Sequence, residues 1–246
     1  MHQGTEDVIV SGGCLLFTAG DCTDRVKADA VNSLLYTQLA ASKKYSRFAE
    51  PARWKQTLLT ALGRFGWILN THETINQSAS DYTHGTVWNW LRSELPVFMP
   101  TAIVAHAEAA AFARYRANPE QRAIQLFASQ VQQHPPEPSP TQDEVEQLEL
   151  TKSDHGTPVL LLIGVLGPQS SLDLLAVTFI SRRPLAADFL FHPLSVSDIV
   201  GNIETTFCSL QMQELIHAQF RETFETALKD RRAEYVQPMQ GVARVH

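Results

Sequence analysis

Apolar positions change their period along this chain. They recur mainly at helical spacing up to about residue 133, and beyond a proline-rich stretch they alternate as in strands. At the N-terminal end, Val8-Ile9-Val10 and Cys14-Leu15-Leu16-Phe17 predict one strand, bulged or broken at Gly12-Gly13. Thr23 or Asp24 caps a helix whose stripe is Ala28, Val31, Leu35 and Leu39. Pro51 opens a second helix with Trp54, Leu58, Ala61, Leu62 and Phe65 on one side, and Gly66 closes it. A short strand follows at 67–69, then a polar, turn-forming stretch at 76–85. Val87, Trp90, Leu91, Leu95 and Phe98 predict a third helix, limited by Pro96 and Pro100. The fourth helix, 101–117, carries Ile103, Val104, Ala107, Ala111 and Phe112 around nearly its whole circumference, which predicts burial between layers. At 123–131 the helical and strand patterns compete.

His134-Pro135-Pro136-Glu137-Pro138-Ser139-Pro140 is the clearest loop. Period-two or short apolar runs at 145–150, 159–166, 172–180, 189–194 and 199–210 then predict strands. The short connections between them favour antiparallel pairing. A last helix places Met212, Ile216, Phe220, Phe224 and Leu228 on one stripe, and Tyr235-Val236 predicts a returning edge strand. The expected fold class is α/β in the α+β sense: three layers, a mostly antiparallel sheet flanked by helical hairpins. Residues 1–246 are expected to form a single domain, with helical hairpins and edge strands over 1–133, the proline-rich loop at 134–143, and strands plus a C-terminal helix over 144–246.

Composition narrows the function classes. A net charge of −6 argues against nucleic acid as a partner, because a phosphate-binding surface needs a basic excess. Three cysteines cannot complete a disulfide framework, so a reducing compartment is the default. The first residues lack a basic segment followed by a long apolar one, and the longest apolar run, 159–166, is far below the ~20 residues that span a bilayer. The expected localisation is cytoplasmic as synthesised, with membrane association arising through a surface or a lipid.

Motifs exclude more chemistry than they support. His106-Ala107-Glu108 has the form used by zinc nucleobase deaminases, but that site needs a later pair of thiolates and only Cys208 follows. No metal site is therefore expected. His72, His155 and His217 are isolated in sequence, and neither a nucleophile elbow nor a phosphate loop is present. Cys208, within Ile203-Glu204-Thr205-Thr206-Phe207-Cys208-Ser209, is the remaining candidate. In a regular strand it shares a face with Val200, Asn202, Glu204, Thr206 and Leu210. Three readings stay open: a small buried hydrophobe, a thiol nucleophile with a histidine near it, or an acyl-attachment site.

The order strand, helical hairpin, strand, helical hairpin, multi-stranded sheet resembles that of the Cyt-type cytolytic delta-endotoxins. It is also similar to the Erwinia virulence factor family of insect-gut colonisation proteins. In that family a cysteine late in the chain carries a thioester-linked palmitoyl group, and Cys208 is the position here that matches it. The resemblance implies a bacterial virulence- or toxin-like protein with a membrane lipid surface as partner. It would have no catalytic cycle and no cofactor beyond a covalent palmitate at Cys208. The rivals from the residues alone are a thiol-dependent acyl-transfer enzyme using Cys208, and a non-catalytic cytoplasmic binding module.

Overall fold

The computed structural model describes residues 7–79, 85–94, 101–133 and 156–241. Their strands form one seven-stranded sheet in the order β3-β6-β5-β4-β2-β1-β7. The strands are β1 (Asp7–Ser11), β2 (Cys14–Thr18), β3 (Trp67–Ser78), β4 (Thr157–Leu166), β5 (Ser171–Ser181), β6 (Ile199–Met212) and β7 (Val236–Pro238). Every pairing is antiparallel except β2 with β4. This confirms the α+β class and the mostly antiparallel sheet.

Five longer helices cover the two faces: α1 (Asp24–Lys44), α2 (Pro51–Arg64), α3 (Val87–Glu94), α4 (Thr101–Ala117) and α5 (Arg122–Val131). Alternation along β4, β5 and β6 divides the core in two. Leu160, Leu162, Leu174 and Leu210 meet Val31, Leu34, Trp54 and Leu58 of the α1–α2 layer. Val159, Leu161, Val177 and Phe207 meet Trp88, Leu91, Ala107 and Phe127 of the α3–α5 layer. Thr23 caps α1 by accepting from the Val26 amide, and Pro51 stands at the start of α2.

Several expectations need correction. Gly12-Gly13 is a hairpin turn, with Ser11 opposite Cys14 and Gly12 at φ +57°, so 8–17 forms two paired strands and not one bulged strand. The strand expected at 67–69 runs on to Ser78, over the first part of the polar stretch. It is an edge strand facing solvent for much of its length, so it carries little apolar pattern. Phe189, Leu190 and Phe191 are buried, but in hydrogen-bonded turns between Pro184 and Pro193. Phe191 stacks on Tyr115, and Phe189 lies parallel to Phe127. The 123–131 segment is helical.

The predicted last helix is broken into α6 (Glu214–His217), a 3-10 turn, α7 (Arg221–Leu228) and α8 (Arg232–Tyr235), before β7 forms the expected edge. Helix α4 is not sandwiched: Val104, Ala107 and Ala111 are buried while Ile103, Ala109 and Ala113 face solvent. Helix α1 takes that place, with the sheet on one side and α7 on the other. Leu35, Phe224 and Leu228 form a small outer core there. The strand expected at 145–150, the loop at 134–143, and Leu95, Pro96, Phe98 and Pro100 lie outside the described residues.

Candidate functional site

Cys208 lies on β6 with its side chain toward α2, in the same core as Leu58, Leu162 and Leu174, and is 3 % exposed. Burial pushes its thiol up to about 12, against the pull of the nearby Lys55 charge. At rest this is a protonated thiol in an apolar slot bounded by Leu58, Leu59, Leu162, Leu174 and Ala176, with only about 10 Å³ free.

The neighbouring strands set what surrounds it. Leu174 of β5 is its register partner on one side, and His72 of β3 on the other. Directly opposed residues of an antiparallel pair point to the same face with Cβ atoms about 4.5–5.5 Å apart. The opposition of His72 depends on a bulge. Trp67 and Leu69 pair with Met212 and Leu210, then the register shifts between Leu69 and Thr71, leaving Asn70 as the extra residue. Before the shift the odd positions of β3 face α2; after it, His72 and Thr74 do. The bulge thus aims an imidazole at the thiol's face of the sheet.

Outward from the slot, α2 and the β3–β6 pair enclose an open groove of about 530 Å³, lined among others by Lys55, Leu59, Leu69, His72, Thr74 and Glu204. Ala52, Lys55, Gln56, Leu59 and Thr60 follow helical spacing, so this is one face of α2, adjacent to the face buried in the core. Lys55, Leu59 and Thr206 border both groove and slot. The Lys55 side chain is 9 % exposed, a degree of burial that a lysine sustains only with partners. It has two: the Glu204 carboxylate and the Thr206 hydroxyl, 3.1 Å from Nζ. Thr206 Oγ1 in turn lies 3.4 Å from Thr74 Oγ1. The Lys55 ammonium from α2 thus faces the hydroxyls of Thr74 and Thr206, the Glu204 carboxylate and the His72 imidazole from the sheet across one groove, with the Cys208 thiol in the slot beneath.

The other candidates stand apart. His106 and Glu108 are on α4, on the opposite side of the sheet; His106 borders a pocket of about 410 Å³ with Phe17, Ile103, Val165 and Pro168. Among the described residues no three metal-ligating side chains converge. His155 lies outside the described residues. His217 is fully buried, its Nδ1 donating to the Phe65 carbonyl at 2.8 Å and its Nε2 lying 3.5 Å from Asp29. Cys14 and Cys22 are free and buried on the α1–α2 side.

The strand pattern put Glu204 and Thr206 on the face of Cys208, as observed, but it did not bring His72 or Lys55 to them. Lys55 was detectable as a charged residue one position beyond Trp54 in the apolar helix α2. His72 was not, because its face is set by a bulge.

No family model matches the chain, and no curated protein matches it. Among solved structures it is similar to one titled "Structure of the Evf virulence factor", at 12 % identity and a TM-score of 0.36, over 95 % of this chain and 87 % of that one. That is a weak relation at the level of fold.

Proposed function

We propose that this protein is a virulence- or toxin-like protein working at membrane lipid surfaces, with Cys208 as the attachment point of a long-chain acyl group held as a thioester. The observation that carries this reading is the groove of about 530 Å³ between α2 and β3–β6, which shares Lys55, Leu59 and Thr206 with the slot that holds the thiol. Its size falls in the range of about 300–1,000 Å³ over which proteins hold small ligands. An acyl chain laid there is shielded from water, and a bilayer competes for it at about 0.8 kcal/mol per methylene. The same chain thus serves two states, one soluble and one attached to lipid. No helix among the described residues is long and apolar enough to cross a membrane, so attachment in this reading comes from the lipid.

The test is the intact mass of the purified protein before and after neutral hydroxylamine, with Cys208→Ser alongside. An added long-chain acyl mass that hydroxylamine removes and the variant lacks is the expected result. An unmodified mass from a host able to supply acyl thioesters sinks the reading.

A further inference from the structure

We infer that the protein acylates itself, with His72 as the general base for Cys208 and a long-chain acyl thioester as donor; this rests on the acyl-attachment reading above. Three features of the groove lead there. First, the thiol is protonated at rest, so it attacks a carbonyl only if a base removes its proton during the attack. Second, His72 is the cross-strand partner of Cys208, brought to that face by the bulge at Asn70, and it lines the groove through which a donor would enter. Bulges beside reactive groups commonly re-aim a side chain in this way. Third, the Lys55 ammonium carries three N–H bonds. Two engage Glu204 and Thr206, and because Lys55 borders both groove and slot, an oxygen entering at their junction would meet the third.

The step balances without an oxidant or metal. The donor's chain lies in the groove and its carbonyl enters at the junction bordered by Lys55 and Thr206, where the slot must open beyond its resting volume of about 10 Å³ to bring it to Cys208. His72 takes the Sγ proton as sulfur adds to the carbonyl carbon. The carbonyl oxygen gains charge and accepts from Lys55. The donor's carbon–sulfur bond then breaks, its sulfur leaves with the proton returned by His72, and the products are the Cys208 thioester and a free donor thiol.

The experiment uses full-length protein stripped with hydroxylamine and incubated with palmitoyl-coenzyme A, its mass followed over time. Wild type is expected to gain one acyl group, with none on Cys208→Ser. His72→Ala and His72→Gln are expected to slow the gain by roughly 100-fold or more. His72 is exposed, so both variants should keep the wild-type melting temperature and isolate the chemical role. Equal rates in wild type and His72→Ala would overturn the inference. So would protein that arrives from cells acylated on Cys208 yet takes nothing from palmitoyl-coenzyme A; in that case acyl attachment stands and another enzyme installs the chain. Protein that is unmodified from cells and inert to the donor removes both proposals.

Discussion

Arg221 of α7 grips both carboxylate oxygens of Asp29 on α1, Nη2 to Oδ2 at 2.7 Å and Nε to Oδ1 at 2.9 Å, across 192 residues of sequence. The same guanidinium also donates to Glu214 at 2.7 Å, and Glu214 meets Arg25. Burial works to raise the Asp29 carboxyl, but His217 and Arg221 outweigh it and hold it at about 2, against an ordinary 3.8. A carboxyl lowered on folding contributes stability that is complete above its unfolded value and lost as pH falls through the folded one. The melting temperature should therefore drop between about pH 4 and pH 2. Asp29→Asn should flatten that acid limb in scanning calorimetry. Asp29→Ala removes the buried half of the pair while Glu214 still holds Arg221, and should cost about 1.5–3 kcal/mol at neutral pH.

The hairpin turn carries a second test. Arg47 donates to the Gly13 carbonyl at 3.3 Å and the Leu160 carbonyl at 3.0 Å, with its guanidinium 4.6 Å from the Trp54 ring. A Cβ on Gly13 would land on that guanidinium. Gly13→Ala should cost about 1–3 kcal/mol in urea unfolding. Combined with Arg47→Ala it should cost less than the two separate losses summed, because both act on one contact.

Phe224 is 1 % exposed, with its ring centroid 4.9 Å from that of Phe65 and 5.2 Å from that of Tyr36. Phe224→Ala should lower stability by about 3–5 kcal/mol. The loss should appear as a lower denaturant midpoint with an unchanged slope, since α7 and α1 share one small core.

Ala52 is exposed and lines the groove. If the groove shelters an acyl chain, Ala52→Trp should fill it and displace the chain toward solvent. Acylated Ala52→Trp should then float with phosphatidylcholine vesicles more completely than acylated wild type. Weaker flotation would mean that the chain is not stored in this groove.

How much could be read from sequence varies by element. Strands β4, β5 and β6 were legible because apolar runs bounded by turns leave few alternatives, and α2 because Trp54, Leu58 and Leu62 hold one stripe. The burial of α1 was not, because its inward positions include Asp29, Ser33, Thr37 and Gln38. Each of these is satisfied locally or across the fold: Ser33 by the Asp29 carbonyl, Thr37 by the Ser33 carbonyl, Gln38 by the Ser11 carbonyl and Gly13 amide. Polar composition hid a central helix, just as apolar composition exaggerated the burial of α4. The site failed for another reason. A bulge is one residue of register, and no local pattern in Asn70-Thr71-His72 announces which way the imidazole turns.

The parallel seam between β2 and β4 has a consequence for synthesis. The hairpins β1–β2 and β4–β5 each close over short connections, whereas Cys14 can meet Leu162 only after residues 19–156 have emerged. Through that interval α1 and α2 have only the β1–β2 hairpin to lie against, without Leu160, Leu162, Leu174 and Leu210 to cover Val31, Leu34, Trp54 and Leu58. A half-made chain is thus a sticky one. Any truncation before β4 should therefore yield insoluble protein.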